Sequence, residues 1–192
     1  MAKKYVFKPD KPRSGLLNKL FLTRLQRRSL LKWTLYAIVL ILLSVLQDVI
    51  FSRFRLLGGT TELVVVGIFL ICLTEGVEYG SVFALVASFC YLFSGSAAGY
   101  YSVAFITGLA VLFTMLRQNF LQRSFNAAAL CTTVAMIAYE LLVFLITVFL
   151  GLTTWSAFPG AVVTAVISLP AIFAIYPVCL AISGIRQLGD EI

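Results

Sequence analysis

Histidine is absent from this 192-residue chain. That removes imidazole acid–base catalysis and the commonest metal ligand. Charge is scarce as well, at 12% of residues, against about 25% in ordinary globular domains. Between positions 33 and 182 it is confined to nine side chains: Asp48, Arg53, Arg55, Glu62, Glu75, Glu78, Arg117, Arg123 and Glu140. No carboxylates cluster at metal-ligand spacing, no glycine-rich loop suits a phosphate, and no serine is paired with a base. The four cysteines, Cys72, Cys90, Cys131 and Cys179, each lie inside an apolar run, where free cysteine acts as a small hydrophobe. Catalysis, cofactor binding and metal binding therefore find no support. A cleavable secretory signal is not expected either, because the first apolar run is too long, starts too late and lacks a small-residue cleavage site.

What is present is hydrocarbon. Hydrophobic residues make up 61% of the chain and the mean hydropathy is +1.01, an excess that a water-soluble core does not absorb. The composition predicts an all-α integral membrane protein, in which length bounds the number of spans rather than the number of domains. The net charge of +7 is polarised, with ten of the fifteen basic residues between Lys3 and Lys32. Because this stretch abuts the first apolar run, it reads as a cytoplasmic anchor touching lipid headgroups rather than as a nucleic-acid site. Residues 1–30 form this tail. Ser14 is a candidate cap for an interfacial helix, left open because Arg24 and Arg28 interrupt its apolar arc.

Six apolar runs follow, near 31–51, 60–76, 79–93, 100–116, 126–150 and 160–182, making 31–183 the membrane domain and 184–192 a short tail. The second is the weak one. Only positions 63–74 are free of charge, about 18 Å of helix against a core of about 30 Å. Extended from Thr60 to Gly76, with Glu62 and Glu75 among headgroups, it reaches about 25 Å; a re-entrant hairpin is the alternative. Charge bias discriminates. If all six runs cross, the inner side collects thirteen cations and the outer side only Arg53 and Arg55; a re-entrant second run gives ten against five. The positive-inside rule favours six spans with both termini cytoplasmic.

Glu140, near the middle of the fifth run, is the one acid expected deep in the bilayer, at a cost of roughly 3 kcal/mol. It reads as a polar contact at a helix interface or as an internal hydrogen bond, to Tyr139 or to a hydroxyl. A single isolated acid makes no ion path. Gln47 and Asp48, at the end of the first run, are further candidates for partner or buried polar contacts. So are Gly80, Ala84 and Ser88, a small-residue face on the third run that permits close helix approach. Arg24, Arg27, Arg28, Lys32, Arg117 and Arg123 are candidate headgroup contacts. Glu75 and Glu78, at a turn, are expected to face solvent, and Pro170 and Pro177 to kink the sixth run.

Several short motifs recur in order. Leu46-Gln47-Asp48 leads through Ser52-Arg53-Phe54-Arg55-Leu56-Leu57-Gly58 to Glu62-Leu63; Thr74-Glu75-Gly76 runs to Gly80; Leu92-Phe93-Ser94-Gly95 is followed by Gly99; and Tyr176-Pro177 lies near the end. Over about residues 46–180 this resembles the rod shape-determining MreD family. Tyr91 stands where family members often carry Asp, and Thr61-Glu62 where they usually carry Pro-Asp. The resemblance implies a compact bundle similar to the substrate-binding subunits of energy-coupling factor transporters. It also implies a non-enzymatic scaffold in the bacterial inner membrane that controls cell shape and lateral peptidoglycan synthesis. The implied partners are an MreC-like protein, with MreB, RodA and a class B penicillin-binding protein. A vitamin-binding transporter subunit is the competing expectation. It requires convergent polar groups in a pocket, and no outward cluster of them is legible in the sequence.

Overall fold

The computed structural model describes residues 24–49, 59–120 and 124–187. They form seven α-helices: α1 (Arg24–Val49), α2 (Leu63–Glu75), α3 (Val77–Phe93), α4 (Tyr101–Phe120), α5 (Phe125–Phe149), α6 (Phe158–Ser168) and α7 (Ala171–Gln187), with a short 3-10 turn at Trp155–Ala157. Three segments are long and apolar enough to cross a membrane, namely Ser29–Val49, Tyr101–Asn119 and Phe125–Phe149. A fourth forms if α6 and α7, bent by 44°, are taken as one. That bend falls at Leu169–Pro170, as the proline predicts, since a proline ring clashes with the preceding turn; Pro177 lies inside α7 without interrupting it.

Burial in α1 is inverted relative to a soluble helix. Its buried stripe carries Lys32, Tyr36, Leu43 and Gln47, while Ile38, Ile41, Leu42, Val45 and Val49 are exposed. The spacing of the buried set follows one helical face. Polar side chains turn inward and aliphatic ones outward, the arrangement hydrocarbon surroundings favour. Exposed Val82, Val86, Leu130, Val134, Ile137 and Val166 continue this apolar coat over α3, α5 and α6.

The second run has a different place. Every residue from Leu63 to Leu73 is buried, because α1, α3, α4, α5 and α7 all pack around α2. A helix apolar on all sides belongs in the middle of a bundle. Its shortness is compensated by a non-helical lead-in hung on α6. The Thr60 amide donates to Thr164 Oγ1 at 3.1 Å and the Glu62 amide to Ser168 Oγ at 2.9 Å. Two steps of lead-in thus match four residues of α6, about 6 Å, close to a fully extended backbone. Residues 59–62 and the 13 residues of α2 together cover about 30 Å. The lead-in needs close contact: a Cβ on Gly59 would lie 2.9 Å from Val163 Cγ1 and 3.0 Å from the Thr164 nitrogen.

The small-residue face of α3 is spent on this same central helix. A Cβ on Gly80 would stand 3.0 Å from Cys72 Cα and from its carbonyl oxygen. Ala84 and Ser88 are fully buried, and Ser88 Oγ lies 3.2 Å from Thr107 Oγ1 on α4. Gly80, Ala84 and Ser88 therefore serve internal packing and are not open to a partner protein.

Candidate functional site

The bundle has two polar ends with opposite chemistry. At the end where α1 starts and α2 stops, Lys32 Nζ pairs with Glu75 Oε2, and the Tyr36 hydroxyl donates to Glu75 Oε1 at 2.5 Å and to the Cys179 carbonyl at 3.3 Å. Arg117 Nη1 donates to the Leu73 carbonyl at 2.7 Å. The last carbonyls of a helix lack intrahelical donors and carry its negative dipole end, so two cations gather at the terminus of α2. Both ion-pair side chains are nearly closed to solvent, at 8% for Lys32 and 3% for Glu75. Trp33, packed against Tyr36, Tyr79 and Phe83, covers the cluster.

These positions correct three expectations. Lys32 and Arg117 do not reach headgroups, being only 6% exposed each. Glu75 does not face solvent; Glu78 alone of that pair is exposed. The polar boundary of an apolar run, which marks a membrane interface in sequence, here marks the ends of a short central helix clamped from its neighbours. Arg123 lies outside the described residues. Arg24, Arg27 and Arg28 fall in the first turns of α1, their side chains outside the described set.

At the opposite end Gln47 is buried and satisfies an α2 N-terminal amide. Its Oε1 accepts from the Val64 nitrogen at 3.1 Å, and its Nε2 lies 3.5 Å from the Tyr91 hydroxyl. Asp48, one residue on, is exposed and accepts from Ser96 Oγ at 2.9 Å. Gln47 is thus an internal fastener, and Asp48 ties the end of α1 to the loop between α3 and α4.

Behind them lies a cluster the sequence did not reveal. Glu140, only 8% exposed, sits on the inward face of α5, and the group whose negative charge bears on it is Glu62, at the mouth of α2. Glu62 Oε2 and Glu140 Oε1 are each shut off from solvent without a hydrogen-bond partner among the described residues. The Tyr139 hydroxyl lies beside Glu62 and Ser102 without completing a hydrogen bond, and Ser102 Oγ and Thr61 Oγ1 are likewise buried and unpartnered. Tyr139 does not bond to Glu140 as expected, because neighbours on a helix point about 100° apart. Nor is Glu140 electrostatically isolated: the negative charge of Glu62, an acid expected among headgroups, bears on it.

A cavity of about 270 Å³ reaches Glu140 from the surface. Its walls come from Val143, Phe144 and Thr147 of α5, Leu152 and Thr153 of the following loop, and Ala161 of α6. Phe144 is held edge-on by Trp155 and Phe158, with ring centroids 5.7 and 5.4 Å away. Carboxylates, hydroxyls and a small apolar cavity therefore converge at this end, where no outward polar cluster was expected. No protein-family model, no curated protein and no solved structure matches the chain.

Proposed function

We propose that this chain is a six-span, non-enzymatic scaffold subunit of the MreD type. It resides in the bacterial inner membrane with both termini cytoplasmic and holds an MreC-like protein together with wall synthases, RodA and a class B penicillin-binding protein, and with MreB. The observation that carries this reading is how the protein disposes of its polar groups. At the Lys32 end they are spent on one another, so the surfaces left for docking are aliphatic helix faces, foremost the Ile38, Ile41, Leu42 and Val45 stripe of α1. Six crossings are supported by the lead-in that lengthens the α2 segment and by exposed aromatics Phe93, Tyr100, Phe149 and Trp155 at the far end. Such residues favour a membrane interface. The resemblance of the motifs from Leu46 to Pro177 to the MreD family supports this reading.

Photo-crosslinking from Ile41 and Val45 in growing cells tests the scaffold. An MreC-like protein or a wall synthase is the expected adduct, and depletion of the chain is expected to abolish rod shape. Unchanged shape and wall growth after depletion rejects the reading. The cavity below Glu140 favours a second one, the substrate-binding membrane subunit of an energy-coupling factor vitamin transporter; a vitamin retained stoichiometrically through purification distinguishes it.

A further inference from the structure

The cavity at the Glu140 end has a floor, walls and an entrance, and each constrains what fits. The floor is the Glu140 carboxylate, which lines the cavity on a residue only 8% exposed. Both Lys32 and Arg117 are at the opposite end of the bundle, engaged with α2. An acid kept inside a membrane helix costs enough to mark a function. Behind the floor the Tyr139 and Ser102 hydroxyls, on residues 0% exposed, have no hydrogen-bond partner among the described residues. The walls are mostly apolar, from Val143, Phe144, Leu152 and Ala161 with Thr147 and Thr153 among them, and the volume of about 270 Å³ is just below that of pockets for drug-sized ligands.

A bare inorganic cation has no use for such walls, and a divalent metal needs more ligands: among the described residues no three His, Cys, Asp or Glu side chains converge. An anion is repelled by the floor. The shape and charge suit a cation with an apolar body, its nitrogen on the carboxylate and its carbon skeleton against Phe144, whose ring face also attracts positive charge.

We propose that Glu140 forms the floor of a binding site for a small organic ammonium ion. This rests on neither the scaffold nor the transporter reading. Entry is from the loop carrying Leu152 and Thr153. The ammonium group replaces the cation that the other end of the bundle supplies from its own sequence. Such a ligand ties α5 to the loop and to α6, because the cavity is lined from all three.

The full chain in detergent or nanodiscs provides the test, with benzylammonium chloride as probe and benzyl alcohol and sodium chloride as matched controls. The protein has two tryptophans. In a Trp33→Phe background, Trp155, which packs on Phe144, becomes the single reporter of the site. Benzylammonium is expected to shift its emission saturably, and both controls to leave it unchanged. Glu140→Gln is expected to weaken the response about ten- to a hundredfold, the loss of one charge-assisted contact. Should that variant fail to fold, Ala161→Leu, which narrows the cavity without removing the acid, is expected to weaken the response by a similar factor. An equal response to sodium makes this an inorganic-cation site, and an equal response to benzyl alcohol a merely apolar cavity; either overturns the proposal. So does the lack of any saturable response, or undiminished binding in the folded variants.

Discussion

Both ends of α2 bury acidic side chains, and they handle the charge in opposite ways. At the C-terminal end one acid, Glu75, meets a lysine and a tyrosine, and an arginine caps a carbonyl. At the N-terminal end two buried acids, Glu62 and Glu140, each leave a carboxylate oxygen without a hydrogen-bond partner among the described residues, and the negative charge of Glu62 bears on Glu140. The helix dipole accounts for the cations of the first end, since its negative pole lies there. It also lowers the cost of acids near the positive pole at the second, but it does not pair them. A staple costs a membrane protein little when it is complete. An incomplete one leaves buried carboxylates with no cation beside them among the described residues.

That contrast can be broken by substitution. The largest effect is expected at the staple. Lys32→Met leaves Glu75 buried without its cation and should cost about 3–5 kcal/mol, read as a loss of thermal stability in detergent. The double variant Lys32→Met with Glu75→Leu should recover most of it, and failure to recover would show that the pair is not the main determinant. Next come the hydroxyls under the lead-in. Ser168→Ala strips the Glu62 amide of its acceptor and should cost about 1–3 kcal/mol. Gly80→Val, pressing on the Cys72 backbone, should cost about the same by overpacking, with a partial separation of α2 from α3 visible as faster hydrogen exchange.

Glu140→Gln reverses the sign. Removing one of two mutually repelling buried acids should raise the stability of the ligand-free protein, by about 1 kcal/mol or less. A loss comparable to that of Lys32→Met would erase the distinction between the two ends. The smallest effect is expected outside the bundle. Ile41→Ala, on a side chain 64% exposed, should change stability by no more than about 0.5 kcal/mol, whereas the same change at a docking face should reduce crosslinking to a partner.

Much of the fold is legible in the residues. The α4 and α5 helices lie close to the apolar runs at 100–116 and 126–150, whereas α1 starts at Arg24, before its run at 31–51, and the break at Pro170 follows from ring sterics. The α2 segment is legible only in part. Its shortness is visible, but the remedy, an extended lead-in bonded to Thr164 and Ser168, depends on partners about a hundred positions away. Charge at the border of an apolar run also has two meanings, a headgroup contact or an internal clamp, and hydropathy does not separate them. Lys32, Glu62, Glu75 and Arg117 all fell on the wrong side of that ambiguity. The pairing of Glu62 with Glu140 was hidden for the same reason: one acid looked superficial, so the other looked solitary.

The hydroxyl ladder under the lead-in also sets a timetable for biosynthesis. Thr60 and Glu62 rely on Thr164 and Ser168, 104 and 106 residues further along the chain. At a ribosomal pace of about 5–20 residues per second, those acceptors emerge some 5–20 s later. Until then two bare amides at the head of α2 have no acceptor from α6, and lipid offers none. The lead-in therefore closes only once α6 has been made.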